Sequence, residues 1–131
     1  MKKIGILNQP ISAVIADLGH LDTLVIADAG LPIPTETERI DLALTQGIPT
    51  FLDTLRVVLT EMQVERVVVA EEMLTVSPQV HAAIKELLGS IPIETIPHTT
   101  FKAQTRSARA IIRTGEFTPY ANIILVAGVV F

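Results

Sequence analysis

The stretch RVVVA, residues 66–70, is the strongest indication in this chain of how it folds. Three consecutive valines leave the segment without a polar face, which is typical of a strand buried on both sides of a sheet. Further short apolar runs have the same character: TLVIAD (23–28), RIDLAL (39–44), PIETI (92–96), AIIR (110–113) and IILVAGVV (123–130). Because helical segments separate several of these runs, we expect an α/β domain.

Four segments of the chain have the pattern of helices, the last of them the weakest. They are QPISAVIADLG (9–19), TFLDTLRVVLTEM (50–62), SPQVHAAIKELLG (77–89) and the shorter TTFKAQTRS (99–107). Thr50 and Ser77 are expected to cap the second and third helices, and Gly89 to end the third. The apolar start, Met1–Leu7, is interpreted as a first buried strand. Together these elements predict a single three-layer α/β/α domain over residues 1–131, with a largely parallel central sheet.

The composition narrows the classes of protein to which the chain can belong. Its formal net charge of −4 disfavours nucleic acid as a partner, because phosphate binding needs a concentrated basic surface. No apolar run approaches the roughly 18 residues of a membrane span, and the lack of cysteine excludes disulfides, thiolate nucleophiles and cysteine-based zinc sites. We therefore expect a cytoplasmic protein with no membrane partner. Only 18% of the residues are charged, which favours an oligomer that covers part of the apolar surface.

Motifs for common cofactors are missing from the sequence. There is neither a G-x-G-x-x-G nor a G-x-x-x-x-G-K-[ST] pattern, so nucleotide binding has no support. His20, His81 and His98 are too far apart in sequence to form a recognisable metal-ligand pattern, and no G-x-S-x-G elbow marks a covalent hydrolase. What remains is general acid/base chemistry on a neutral, hydroxyl-rich ligand, with no metal and no other cofactor.

Candidate site residues follow the predicted strands. In a parallel sheet, ligands bind beyond the carboxyl ends of the strands, and we expect the functional side chains to cluster there. Asp28 ends TLVIAD, His98 follows PIETI, and the polar stretch RTGEFTPYAN (113–122) joins the last two strands. We include His20 in this cluster; it lies just past Gly19 at the end of the first helix, and its imidazole can donate or accept a proton near neutral pH.

Each of these candidates also has a purely structural interpretation. His20 follows the first helix and can cap it by bonding a free carbonyl, while Asp28 can form an Asx turn within the sequence DAG. His98 can simply mark the start of a helix, and Lys102 can be a solvated lysine on that helix.

The polar stretch 113–122 contains the only tyrosine of the chain, Tyr120, close to Asn122. A hydroxyl, an amide and a flat apolar ring are groups that can hold a sugar. The alternative is that the ring covers the end of the sheet with its hydroxyl in water. Arg113 and Glu116 are expected to be scaffolding and to pair with each other across the bend.

Taken together, the sequence resembles the D-ribose pyranase family, a small group of sugar mutarotases that also contains L-fucose mutarotase. The resemblance runs in order from one end of the chain to the other, and DAGLPIP and PYAN are its most specific motifs. The stretches that carry it are GILN (5–8), ADLGH (16–20), IADAGLPIP (26–34), IDLAL (40–44), EMQVE (61–65), AEEM (70–73), RTGEFTPYANIIL (113–125) and AGVVF (127–131).

The resemblance implies a cofactor-free isomerase that interconverts the pyranose and furanose forms of β-D-ribose by opening and reclosing the ring. It implies His20 as the proton donor, and as sugar-binding residues Asp28, His98, Lys102, Tyr120, Ala121 and Asn122. It also implies homodecamers of two stacked pentameric rings, with sites formed between subunits. Two alternatives stay open: a mutarotase for another sugar such as L-fucose, and a sugar-binding protein without turnover. Whether Asp28 is a base or only a ligand is open as well.

Overall fold

Six strands and five α-helices make up the protein, and the computed structural model describes all 131 residues. The strands are β1 (Thr23–Ala27), β2 (Glu38–Asp41), β3 (Val64–Ala70), β4 (Ile93–Ile96), β5 (Ala110–Arg113) and β6 (Ile123–Ala127). The helices are α1 (Gln9–Asp17), α2 (Phe51–Val58), α3 (Met73–Val76), α4 (Pro78–Leu88) and α5 (His98–Gln104), and a 3-10 turn follows at Thr105–Ser107. Every strand and helix predicted from the sequence patterns is present except the expected N-terminal strand, whereas the short α3 was not predicted.

The strands form one mixed sheet in the order β2-β5-β1-β6-β3-β4. Three of its five strand pairs are parallel, namely β2·β5, β5·β1 and β3·β4. Only β6 runs antiparallel to both of its neighbours, β1 and β3. The chain leaves β5 at the carboxyl edge of the sheet and re-enters β6 from that same edge, so no crossover helix is needed. The prediction of a largely parallel sheet is confirmed, and the loop between β5 and β6 lies where ligands are expected.

Apolar side chains cover both faces of the sheet. Leu24 and Ile26 of β1 point into the larger of two hydrophobic clusters, to which α1, α2 and α4 contribute. Val25 and Ala27 point to the opposite face, where Phe101 of α5 is fully buried. Because β1 is buried on both faces from Leu24 to Ala27, the side chains of these four residues are all apolar, as the sequence predicted. The three-layer arrangement is confirmed, with α5 as the main helix of the thinner layer.

The helix ends agree with the sequence at some positions and differ at others. Thr50 accepts a hydrogen bond from the Asp53 backbone N–H at 3.1 Å, and Gly89 ends α4 with a φ of 59°, both as predicted. Asn8 caps α1 by accepting a bond from the Ile11 N–H at 3.0 Å, which was not predicted. Ser77 makes no capping bond with its side chain, so that prediction is wrong, and its hydroxyl is used elsewhere.

The expected N-terminal strand is also wrong. Residues 1–8 form no strand, and of the apolar side chains there only Ile6 is buried. Gly5 has a φ of 78°, which breaks an extended conformation, and the Ile6 N–H donates to the Glu61 carboxylate at 2.6 Å instead of to a neighbouring strand. No helix of the protein combines the length and the apolar character needed to cross a membrane.

Candidate active site

A cavity of 290 Å³ opens at the carboxyl end of the sheet, where parallel α/β proteins bind their ligands. Asp28 follows β1, His98 begins α5, and Tyr120 lies in the loop that leads into β6. The residues that line the cavity are Asp28, Gly30, Leu31, Pro32, His98, Lys102, Pro119, Tyr120 and Asn122. The structure therefore brings together five of the predicted sugar-binding residues, from three separate parts of the chain.

Asp28 and Asn122 are held to each other by two hydrogen bonds. The Asn122 side chain accepts from the Asp28 backbone N–H at 2.8 Å and donates through Nδ2 to the Asp28 carboxylate at 2.9 Å. The other carboxylate oxygen accepts from the Gly30 N–H at 2.9 Å, so the predicted Asx turn is present as well. Asn122 is only 1% exposed, whereas Asp28 is half-buried at the cavity wall. The carboxylate is thus fixed in orientation before any ligand arrives.

Two aromatic rings form another part of the cavity. The ring of His98 meets that of Tyr120 edge to face, with centroids 5.0 Å apart and planes at 87°. On its other side the imidazole is stacked near Phe101, at 6.1 Å and 17°. Tyr120 adopts a φ of 61°, which is uncommon for a residue with a side chain and indicates that the loop around it is closely constrained.

The environment of His98 favours its neutral form. Burial lowers the pKa of His98 below its usual value, and the Lys102 ammonium lowers it further, while the Glu72 and Asp28 carboxylates act in the opposite direction. Its Nδ1 is buried and has no hydrogen-bond partner. A neutral ring with the proton on Nε2 leaves only an acceptor at Nδ1, which avoids a buried N–H without a partner. His98 can therefore donate one hydrogen bond through Nε2.

The loop between β5 and β6 is anchored by polar groups near its start. The Thr114 hydroxyl donates to the Ala27 carbonyl at 2.7 Å, and the Glu116 carboxylate accepts from the Phe51 N–H at the start of α2, at 3.1 Å. Arg113 pairs with Asp41 at 3.2 Å and not with Glu116, so the expected Arg113–Glu116 pair is wrong. Both side chains nevertheless act as scaffolding, because each connects the loop to another element.

Ala121 and Lys102 have different positions from the residues above. The Ala121 side chain is fully buried in the larger hydrophobic cluster and does not line the cavity. Lys102 lies one helical turn after His98 and is half-buried at the cavity, so it is not simply a solvated lysine. Gly30, Leu31, Pro32 and Pro119 also line the cavity and were not predicted as site residues, although the motifs DAGLPIP and PYAN contain them.

His20 does not belong to this cluster, and the expectation that it would was wrong. It precedes β1, whereas Asp28 follows that strand, so the two residues lie at opposite ends of the sheet. A strand of five residues spans about 17 Å at the usual rise, too far for one sugar to touch both. His20 does not cap α1 either: the Leu18 N–H bonds the Ile15 carbonyl, and the His20 Nε2 lies 2.9 Å from Glu65 Oε2.

The surroundings of His20 are open. Its side chain is 50% exposed and that of Glu65 is 39% exposed. A cavity of 520 Å³ beside it is lined partly by the last residues of the chain, Gly128–Phe131, of which Val130 and Phe131 are largely exposed. Elsewhere, no group of three or more histidine, aspartate or glutamate side chains is arranged to hold a metal ion.

Comparisons with known proteins agree with this architecture. The chain matches the family model of the RbsD / FucU transport protein family over residues 1–130. A D-ribose pyranase of Laribacter hongkongensis is 58% identical over 131 residues, and one of Aliivibrio fischeri is 56% identical over 139 residues, each match covering 100% of both chains. The structure of Bacillus subtilis RbsD complexed with D-ribose has a TM-score of 0.97 and 50% identity, with 100% of both chains covered. The protein therefore belongs to the RbsD / FucU family.

Proposed function

We infer that this protein is a D-ribose pyranase, an isomerase of ribose metabolism that interconverts the pyranose and furanose rings of D-ribose. The observation that carries this inference is its full-length identity to D-ribose pyranases. A polar cavity with a fixed carboxylate lies at the ligand-binding edge of the same fold that, in the Bacillus subtilis protein, was solved with D-ribose. A neutral, hydroxyl-rich monosaccharide suits a cavity of this size and composition.

The reaction needs proton transfers and no redox change. Opening a cyclic ribose breaks the bond between the anomeric carbon and the ring oxygen, which gains a proton while the anomeric hydroxyl loses one. The aldehyde then recloses through a different hydroxyl, which gives the other ring size with the same atoms. We assign His20 as the acid that protonates the ring oxygen, a step for which a positioned imidazole typically contributes ~10²–10⁴-fold.

We assign the residues at the carboxyl end of the sheet to sugar binding. Each oxygen of the Asp28 carboxylate accepts one bond from the protein and retains a lone pair for a sugar hydroxyl. His98, as a neutral ring, donates through Nε2, and Lys102 contributes a cationic donor beside it. The Tyr120 ring and hydroxyl form another wall of the cavity. Asn122 acts mainly by holding Asp28, and Ala121 only through its backbone.

His20 and the Asp28 cavity of the same chain are too far apart to act on one sugar, and this distance points to a site shared between subunits. We propose that the active site is completed by a second copy of the chain, whose His20 reaches the Asp28 cavity of its neighbour. A homodecamer of two pentameric rings is the assembly we propose. Large apolar side chains at several surface positions support an association of subunits: Leu7, Leu44, Ile48, Val57, Phe117, Val130 and Phe131 are each at least 48% exposed.

Saturation-transfer NMR of D-ribose tests the proposed activity. The purified protein is expected to speed exchange between the pyranose and furanose signals, and to act less on L-fucose at the same concentration. The Asp28→Asn variant should bind and convert ribose poorly, whereas Asp53→Asn, on the distant α2, should not differ from wild type. A protein that gives no acceleration over buffer would be a sugar-binding protein, and faster exchange of L-fucose would favour the other mutarotase activity.

A further inference from the structure

The segment from Glu72 to Ser77, called here the 72–77 segment, contacts two separate parts of the cavity wall. It contains α3, follows β3 and leads into α4. Both carboxylate oxygens of Glu72 lie within hydrogen-bond distance of the His98 backbone N–H, at 3.2 and 3.0 Å. Five residues later, the Ser77 hydroxyl donates to the Pro119 carbonyl at 2.6 Å. One short piece of chain thus touches the residue that begins α5 and the residue before Tyr120.

The 72–77 segment is tied to the domain core by two buried side chains. Ser77 is 1% exposed, and Met73 is fully buried in the larger hydrophobic cluster, which fixes the segment to the domain core. Ser77 lies at the start of a helix but makes no capping bond with its side chain. A serine at this position usually caps its own helix, whereas the Ser77 hydroxyl bonds the loop between β5 and β6 instead.

Each end of the segment bonds the backbone next to one of the two aromatic rings of the cavity. Glu72 binds the backbone of His98, and Ser77 binds the carbonyl immediately before Tyr120. These are the two rings that meet edge to face at 5.0 Å. Backbone hydrogen bonds within the segment, from the Val76 N–H to the Glu72 carbonyl and from the Ser77 N–H to the Met73 carbonyl, hold its two ends at a set separation, and this sets the separation of the two contacts.

We propose that Glu72 and Ser77 are positioning residues for the sugar cavity, Glu72 by fixing His98 and Ser77 by fixing Tyr120. The proposal rests on the proposed function for the role of the cavity, and neither residue contacts the sugar in it. Glu72 has a second effect, because its negative charge raises the pKa of His98, against burial and Lys102, with Asp28 acting in the same direction as Glu72. The charge and the hydrogen bonds of Glu72 can be separated by substitution.

Kinetics of ribose ring exchange test the proposal with matched controls. Glu72→Ala and Ser77→Ala are each expected to raise KM for D-ribose by about 2- to 12-fold, the loss of one or two hydrogen bonds, with kcat unchanged to within about twofold. Glu72→Gln keeps an acceptor for the His98 N–H and should restore most of the wild-type KM. The controls are Glu71→Ala, at the exposed neighbouring position, and Ser107→Ala, whose hydroxyl bonds only the Gln104 carbonyl.

The pKa of His98, followed by NMR of histidine-labelled protein, is the second readout. Glu72→Gln should lower this pKa, because a negative charge beside the imidazole is removed, whereas Glu71→Gln should leave it unchanged. A general structural disturbance of the domain would change the pKa of His98 to a similar extent in both variants. If Ser77→Ala does not fold, the Glu72 variants still decide whether the segment positions His98.

The outcomes separate this proposal from the proposed function. A KM in Glu72→Ala and Ser77→Ala that equals that of the two controls overturns the positioning role. If the wild type accelerates no ring exchange, the proposed function fails, and calorimetric titration with D-ribose replaces KM in the same comparison. If D-ribose does not bind either, the positioning role falls together with the proposed function, whereas binding by the wild type with an unchanged affinity in Glu72→Ala and Ser77→Ala overturns the positioning role alone.

Discussion

The two ends of the sheet carry histidines in opposite circumstances. At the carboxyl end, His98 is half-buried, its backbone is bound by Glu72, and its ring lies between Phe101 and Tyr120. At the amino end, His20 is half-exposed and its ring makes one hydrogen bond, with Glu65. The first histidine is held by the fold of its own chain, whereas the second is free to meet another molecule. A binding residue needs the first arrangement, and a proton donor that serves a neighbouring subunit suits the second.

Replacing the exposed histidine should have the largest effect on activity. In His20→Ala, ring exchange is expected to slow by about 10²–10⁴-fold, because the group assigned to protonate the ring oxygen is lost. Ribose binding, measured by calorimetry, should persist, since the carboxyl-end cavity is unchanged. His81→Ala, on α4, is the control and should retain full activity. Ring exchange at the wild-type rate in His20→Ala would mean that the histidine at the amino end is not the proton donor.

Removing the amide that holds Asp28 should have the next largest effect, on stability. Asn122→Ala deletes two hydrogen bonds at the cavity wall and leaves the Asp28 backbone N–H without its partner, so the free energy of unfolding should fall by about 2–3 kcal/mol. Urea denaturation provides the measurement. Asn8→Ala, which removes only the cap of α1, should cost about 1 kcal/mol. Equal losses in the two variants would mean that the cavity end is no more tightly built than a surface helix.

Substitution of a glycine by alanine at each end of the sheet tests how tightly the two ends are packed. At Gly115 in the cavity-end loop, a Cβ would lie 2.6 Å from the Ile48 carbonyl oxygen and 2.7 Å from its nitrogen, both backbone atoms. At Gly128, near His20, the nearest atom would be the Glu65 Cβ at 3.1 Å. Gly115→Ala should therefore lower the free energy of unfolding by about 1–3 kcal/mol, and Gly128→Ala by less. Thermal unfolding of both variants tests this order, and a larger loss in Gly128→Ala would contradict it.

The smallest expected effect concerns pH. Because the pKa of His98 is lower in the folded than in the unfolded chain, the unfolded state binds more protons as the pH falls. The contribution of His98 to stability is therefore complete above its unfolded pKa of about 6.5 and is lost as the pH falls from there through its lowered folded pKa. Comparing urea unfolding of wild type and His98→Gln at about pH 7.5 and 5.5 isolates this contribution. His81→Gln should keep the wild-type pH dependence, and an identical dependence in His98→Gln would show that the neutral form is not favoured.

The strands and most helices could be predicted because their signals are local. Runs such as Val67–Val69 indicate burial on both faces whatever the rest of the chain does. The antiparallel course of β6 and the role of Ser77 could not be predicted, because each depends on what lies beside it in space. The misassigned N-terminal strand shows the same limit: an apolar start was present, but the carboxylate of Glu61 bonds its backbone.

Most residues that line the candidate cavity could be predicted from the sequence, but the position of His20 outside that cavity was not. The sequence indicated Asp28, His98, Lys102, Tyr120 and Asn122, and these line one cavity. It also contained the evidence that His20 lies elsewhere, because His20 precedes a strand that Asp28 follows, and a strand has two ends. The role of Glu72 could not be predicted from the sequence, since Glu72 bonds His98, a residue 26 positions away.

Mixed subunits test the shared site most directly. His20→Asn and Asp28→Asn proteins are each expected to have little activity alone. Denatured together in equal amounts and refolded as one population, they should recover about a quarter of the wild-type rate of ribose ring exchange, because that fraction of intersubunit sites pairs an intact His20 with an intact Asp28. Each variant refolded alone is the control. A mixture no more active than its two components would contradict the account, since it would mean that His20 and Asp28 do not meet across subunits.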